Sequence, residues 1–415
     1  MTANAFHEHF IPLYHNDLIE LLCKDIELGP ADRDLFRRFC RLVSAVYRYE
    51  FYQRLTELKT SYAPFDPDSD KKPLEHQSSE DEQKCLNDLF CDFGWLMDRA
   101  DFKHLSREDF EPSLAERDSW GIRMEVDFSA FERLAIFARG DIVQRRIRRT
   151  WRNFFRDEEV EVPVYQRLVI ILKFRRDRNT DQQADPDSVY LKIFKDIPKL
   201  DIKMLLPSTR VRMTKFDRTR IGFPLLSGLV LALYNIGMQI ILIGREIGEF
   251  IQSSLTMGTL WGIALGGIGY GYRSYYGYMQ TKQRYRLTLT QSLYFQNLDN
   301  NSGVLFRLLD EAEDQECSEA LLAYFILWRQ ADPKGITSEE LNRLIEQYLE
   351  KSAQVKVAFE IRKAFAKLEK LRVLEKTDDR YRAVPLEQAH ETIVGIWDSY
   401  FHGKNASVKE TAKTA

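Results

Sequence analysis

From Asp17 to about Leu58 the apolar positions follow a helical period. Leu35, Phe39, Leu42, Val46, Tyr49 and Leu58 fall near one face, and Gly29-Pro30 separates a short first helix from a long second. Leu86, Leu89, Phe90, Phe93 and Met97 repeat the period and predict a helix over Lys84 to Asp98. From about Gly121 the pattern changes to short apolar runs. Strands are expected at Ile122 to Val126, Leu134 to Ala138, Val162 to Phe174 and Val189 to Phe194. Helical spacing returns at Glu319 to Gln330, then after a capping signal at Thr337 or Ser338 with Glu340, and again at Val355 to Arg372. Val373 to Val384 holds two short strands around Thr377-Asp378-Asp379. Three helices followed by a hairpin predict a winged helix.

Two stretches break the amphipathic pattern. Ile221 to Gly244 is an uncharged run of 24 residues and Phe250 to Tyr272 one of 23. At about 1.5 Å per residue either helix is long enough for a hydrocarbon core of about 30 Å, and the expectation is a two-helix transmembrane hairpin. A water-soluble buried helix pair is the alternative. Arg210, Arg212, Lys215, Arg218 and Arg220 precede the first run, and Arg273, Lys282, Arg284 and Arg286 follow the second. Positive residues flanking spans stay on the cytoplasmic side, so both soluble parts are expected there. Tyr270, Tyr272, Tyr275, Tyr276 and Tyr278 suit a headgroup layer. Gly258, Gly262 and Gly266 form a smooth face for helix packing, and Asn235 and Gln239 share a face where carboxamides need partners. The same features serve packing of the two helices or a homo-oligomer.

The resulting fold class is α+β with a transmembrane hairpin. Its parts are a helical N-terminal region (1–110), a mixed α/β soluble region (111–204), a basic juxtamembrane segment (205–220), the hairpin (221–272), a juxtamembrane linker helix (273–302), a winged-helix-like domain (303–402) and a tail expected to be disordered (403–415). Met1 to His15 shows neither a signal core nor transit-peptide composition, and insertion in a bacterial cytoplasmic membrane with both termini cytoplasmic is expected.

Composition narrows the function classes. The chain has 415 residues, 44% hydrophobic and 30% charged, with a formal net charge of -3, which is too near neutral to mark a nucleic-acid binder. Cys23, Cys40, Cys85, Cys91 and Cys317 are odd in number and lack CxxC spacing, against a disulfide framework or a zinc site. No phosphate-binding loop, HExxH or GxSxG is present, so no catalytic residue, cofactor or metal is expected. His7, His9 and His15 cluster near the start as an exposed terminus or a metal site. In YAPFDPDSD, Asp66, Asp68 and Asp70 alternate as in a calcium loop, but the glycine and distal glutamate are missing, and a solvated turn is the alternative. A helix carrying Arg145, Arg146, Arg148, Arg149, Arg152 and Arg156 is expected to meet anionic lipid or to be neutralised by Asp157, Glu158, Glu159 and Glu161.

Two further sites are candidates. Asn297, Asp299, Asn300 and Asn301 crowd the entry to the distal domain as a polar site or a helix-capping turn. Lys356, Lys363, Lys367 and Lys370 lie together on the third winged helix, as a nucleic-acid face or a protein-docking face. Asn301 to Phe401 holds 14 Lys and Arg against 19 Asp and Glu, a net of -5, which favours protein over nucleic acid.

LLPSTRVRMTKF from Leu205, LTLTQSLYFQNLDNN from Leu287, GVLFRLLDEAEDQECSEALLAY from Gly303, HFIPL from His9 and the YAPFDPDSD turn together resemble the family typified by transmembrane protein 143. The resemblance implies a two-span protein, mitochondrial in animals, without an established reaction and without catalytic residues to carry over. The expected function is a membrane-anchored adaptor or regulatory scaffold, with the lipid bilayer, anionic lipid, an unidentified protein or a second copy as partners. The alternatives are a membrane-tethered nucleic-acid regulator using the C-terminal winged helix and an enzyme acting on a lipid or membrane-delivered substrate.

Overall fold

A computed structural model describes residues 9–24, 29–70, 79–106, 108–109, 123–149, 157–176, 185–207, 209–212, 272, 276, 294–330, 335–377 and 379–401. The chain divides into two compact units, one formed by 1–107, 129–198 and 298–415, the other by 108–128 and 199–297.

The first unit is built on helices α1 (His15–Cys23), α2 (Pro30–Tyr62) and α3 (Ser79–Arg99). Pro30 at the first position of α2 supplies a preset φ and no unsatisfied N–H. The inward face of α2 is Phe36, Phe39, Val43, Val46, Leu55, Leu58 and Tyr62, at the three- and four-residue spacing a helix requires.

A five-stranded sheet follows. β1 (Lys103–His104), β3 (Phe131–Arg149), β4 (Asp157–Phe174), β5 (Val189–Pro198) and β7 (Asn297–Asn300) lie in the order β1-β3-β4-β5-β7. β3 and β4 are antiparallel from Phe131↔Phe174 to Arg149↔Asp157. β5 pairs with β4 from Val164↔Pro198 to Lys173↔Val189. Val169 and Ile171 join the helical core, and Leu168, Ile170 and Leu172 on the opposite face are buried too, which explains the unbroken apolar run. Gly140 (φ +80) lies between the pairs Arg139↔Arg167 and Asp141↔Tyr165, where a side chain would meet Gln166 Cβ at 2.5 Å, and the β3–β4 register shifts once, between Phe131 and Arg133.

The arginine-rich segment read as a helix is corrected over Arg145 to Arg149, while Arg152 and Arg156 lie outside the described residues. β3 runs through Arg149 and β4 starts at Asp157, with Arg145 in register with Glu161 and Arg148 with Glu158. Opposite charges on facing strands favour the ribbon, and Arg145 lies 3.8 Å from Glu161 and 4.0 Å from Glu159.

The second unit contains β2 (Arg123–Val126), the short α4 (Ile202–Leu205) and β6 (Thr209–Arg212), with β2 and β6 antiparallel. Arg210 and Arg212 of the supposed juxtamembrane segment are thus strand residues.

The distal part of the first unit comprises α5 (Ser302–Gln330), α6 (Ser338–Ala353), α7 (Ile361–Lys370), β8 (Leu374–Thr377), β9 (Arg380–Ala383) and α8 (Leu386–Phe401). Thr337 and Glu340 form a reciprocal capping box at α6. Ile336 bridges Tyr381, giving the hairpin a third edge, and Phe365 of α7 stacks on Tyr381 with ring centroids 3.8 Å apart. α7 begins six residues later than the periodicity suggests, because Gln354 closes α6 in the left-handed region. α5 touches α1, α2, α3, α6, α7, β5 and β9, and nearly every side chain from Ala312 to Leu327 is buried.

The membrane reading is corrected. No helix among the described residues is long and apolar enough to cross a membrane. The two longest, α2 and α5, carry charges along their length, including Asp310, Glu311, Glu313, Asp314, Glu316 and Glu319 on α5. With this finding the transmembrane hairpin, the integral-membrane class, the bacterial cytoplasmic-membrane location and the membrane-anchored adaptor are not supported. Gly258, Gly262, Gly266, Asn235 and Gln239 lie outside the described residues, as does 221–271.

Candidate functional site

The middle of α5 reads Glu311-Ala-Glu313-Asp314-Gln315-Glu316-Cys317-Ser318-Glu319 inside an otherwise apolar helix. A buried carboxylate is tolerated only with a cation or several donors, and each buried one here meets a cation from another element. Arg139 of β3 donates to Glu311 Oε2 at 2.6 Å and to the Ala100 carbonyl at 2.8 Å. Its guanidinium lies between the rings of Phe10 and Phe102, at 3.9 and 4.6 Å. Arg48 of α2 donates to Glu313 at 3.1 Å, and Arg99 at the end of α3 to Glu316 at 2.8 Å.

The deepest cation is Lys367 of α7, which lies 3.4 Å from Glu316 and hydrogen-bonds Glu319. Gln315 knits the cluster together: its Oε1 accepts from the Ile11 N–H at 3.1 Å, and its Nε2 donates to Glu319 at 2.6 Å and Asp101 at 3.0 Å. Asp101 occupies the left-handed region (φ 56) where the chain leaves α3. Lys363 donates to Asp101 at 3.2 Å and lies 3.0 Å from Glu360, which in turn is 3.5 Å from His9.

Of the candidate lysines of α7, Lys367 points inward, Lys363 reaches in from the rim and Lys370 stays at the surface. Lys363 meets Asp101 and Glu360, Lys367 meets Glu316 and Glu319, and Lys370 meets Glu50 of α2. Lys356, outside the helix, pairs with Glu350 at the surface.

Burial dominates the electrostatics. It raises the Asp101 and Glu319 carboxyls above their ordinary range, against the opposing pull of Lys363 and Lys367. For Lys363 burial works downward, but Asp101, Glu360 and Asp98 outweigh it and the ammonium is held in its charged form.

A second cluster has the outline of nucleophilic chemistry. His15 Nε2 is 2.8 Å from Ser44 Oγ and 4.0 Å from Cys317 Sγ, and Ser44 Oγ is 3.6 Å from that sulfur. Burial pushes the Cys317 thiol up to about 12, and burial with Arg48 lowers His15, so this thiol is held in its unreactive form.

The polar run before α5 is a joint. Asn297 to Asn300 form the edge strand β7, and Asn301, at φ 48, turns into the helix. The Asn301 amide donates to the Leu191 carbonyl at 2.8 Å, its Oδ1 accepts from the Leu191 N–H at 3.3 Å, and its Nδ2 donates to Asp68 at 2.6 Å. Asp299 packs beside Gly303, where a side chain would meet its Oδ1 at 2.2 Å, and lies 3.6 Å from Arg307. Asp66 accepts the Asp68 N–H as an Asx turn. Among the described residues no three His, Cys, Asp or Glu side chains are grouped to hold a metal.

Asp101, Gln315, Glu316 and Glu319 do not emerge from motif reading. The available signal was polar residues recurring at i, i+4 within a helix that is apolar on every side.

Residues 164–303 match the family model described as a protein of unknown function (DUF3754), which is less than half of the chain. The match runs from the start of the β4–β5 pairing to the first turn of α5, so the carboxylate cluster lies beyond it. No solved structure matches the chain.

Proposed function

We propose that the first unit is an interaction module in which a winged helix docks, lysine side inward, onto an acidic central helix. The observation that carries this reading is Lys367, buried between Glu316 and Glu319. Phe365 and Leu368 occupy the apolar core and Lys363 and Lys367 the ionic cluster, so α7 is covered on two faces. Arg362, Ala366, Glu369 and Lys370 remain at the surface, two cations against one carboxylate, with Lys370 paired to Glu50 of α2. Groove reading needs free cations for phosphates, and two of these lysines already neutralise buried carboxylates. On the quoted stretches alone we also propose kinship with the transmembrane protein 143 family. The stretch from Gly303 to Tyr324 supplies Glu311, Glu313, Glu316 and Glu319 of the cluster.

The test is fluorescence anisotropy of a labelled duplex titrated with the full chain, at low and at physiological salt. The expected result is no saturable binding below about 100 μM at physiological salt, weaker than ordinary non-specific binders. Micromolar binding that weakens steeply with salt and is lost in Lys363→Ala/Lys370→Ala would overturn the reading.

A further inference from the structure

The ionic cluster under α7 is unevenly balanced by depth. The side chains of Asp101, Glu316 and Glu319 are 6%, 3% and 5% exposed; of the cations Lys367, at 6%, lies as deep, as does Arg139, at 7%, which is within electrostatic reach of Asp101 but bonded to Glu311. Arg99 and Lys363 reach in from the rim, at 39% and 33% exposed. The remaining charged neighbours supply no surplus cation. Glu360 and His9 flank Lys363, Asp98 lies 3.7 Å from Lys363 at the surface, and Arg139 is engaged by Glu311. From α2 the neutral Tyr47 hydroxyl lies near Glu316, and Glu50 pairs with Lys370 of α7. Asp101 and Glu319 are moreover bridged by one amide nitrogen, Gln315 Nε2, which brings two like charges onto a single donor.

We infer that docking of α7 takes up a proton at the Asp101–Glu319 pair, so that the winged helix is held more tightly as the pH falls. This rests on the docked reading above. The sign follows from linkage. When α7 is released both carboxylates meet water and ionise in their ordinary range, whereas docked, burial raises both above it. The docked state thus binds more protons, and the stabilisation is complete below the ordinary carboxylate range and lost as pH rises through the raised values. Protonating one member relieves the repulsion across Gln315 while Glu316 continues to hold Lys367.

Native-state hydrogen exchange of α7 in the full chain, corrected for intrinsic rates, tests this between about pH 5 and pH 8. The opening equilibrium of residues 361–370 is expected to rise with pH by up to about tenfold per unit, the limit for one linked proton. Glu319→Gln and, separately, Asp101→Asn should flatten that slope; asparagine also suits the left-handed backbone at 101. Having the two variants means one is read if the other does not fold. High protection with no slope in the wild type would overturn the proton linkage and leave docking intact. An unprotected α7 at every pH would overturn the docked reading itself, and a slope unchanged in both variants would place the proton elsewhere and sink the assignment.

Discussion

The Asn301 carboxamide donates to the Asp68 carboxylate at 2.6 Å, fastening the turn after α2 to the entry of α5. Asn301 also exchanges bonds with Leu191 of β5, so one left-handed residue joins a helix, a strand and an aspartate-rich turn. Asn301→Ala loses the side-chain bonds and strains the backbone, and a cost of about 1–3 kcal/mol is expected in urea unfolding. Asn301→Gly keeps the backbone and should cost less. Equal losses for the two would remove the left-handed argument.

Lys367→Met keeps volume but strips Glu316 and Glu319 of their buried cation. Breaking one side of such a pair typically costs about 3–5 kcal/mol. Lys356→Met, at the exposed pair with Glu350, should fall within about 1 kcal/mol of wild type. Thermal and urea denaturation of both variants decides this, and similar stabilities would show that the cluster contributes little.

Burial raises the Glu313 and Asp314 carboxyls, with Arg48 opposing. Carboxylates raised on folding stabilise fully below their ordinary range and progressively less as pH rises through the raised values. Glu360 works the other way: although burial pushes it up, the Lys363 bond and charge outweigh this and hold it low. Its contribution is present above the ordinary range and lost in stronger acid. Unfolding midpoints should therefore rise as the pH falls toward the ordinary carboxylate range of about 4 and fall again in stronger acid. Glu313→Gln with Asp314→Asn should reduce the first change. A midpoint climbing steadily from pH 5 to 8 would contradict the sign.

Cys317, with its thiol pushed up to about 12 by burial, should resist alkylation in the native chain, and buried Cys40 likewise. Exposed Cys91 should label first. Mass spectrometry of limited labelling reads the order, and rapid native modification of Cys317 would reopen a chemical role for the His15–Ser44–Cys317 group.

Gly140→Ala places a methyl group 2.5 Å from Gln166 Cβ at φ +80, so destabilisation above about 1 kcal/mol is expected. Gln166→Ala in the same chain should recover only part of it, since the backbone strain remains. Gly94→Ala, with nothing within 4 Å of the new methyl, should instead stabilise α3 by about 0.5–1 kcal/mol. Chemical denaturation of the three variants gives the comparison.

The sequence by itself determined the elements whose causes are local. The Gly29-Pro30 break, the α2 and α3 faces, the Thr337–Glu340 capping box, the short hairpin after α7 and the apolar core of β4 and β5 all follow from spacing over a few residues. Which charges meet was decided only by the tertiary structure. Lys363 is 262 residues from Asp101, Arg48 is 265 from Glu313, and Lys370 is 320 from Glu50. Periodicity shows which face of α7 the lysines occupy but carries no information about what that face meets. The arginine run was ambiguous for the same reason, because helix or strand depended on a facing acidic strand. Burial then set the chemistry: desolvation within the packed helices, absent from any local segment, raises the Asp101 and Glu319 carboxyls and keeps Cys317 inert.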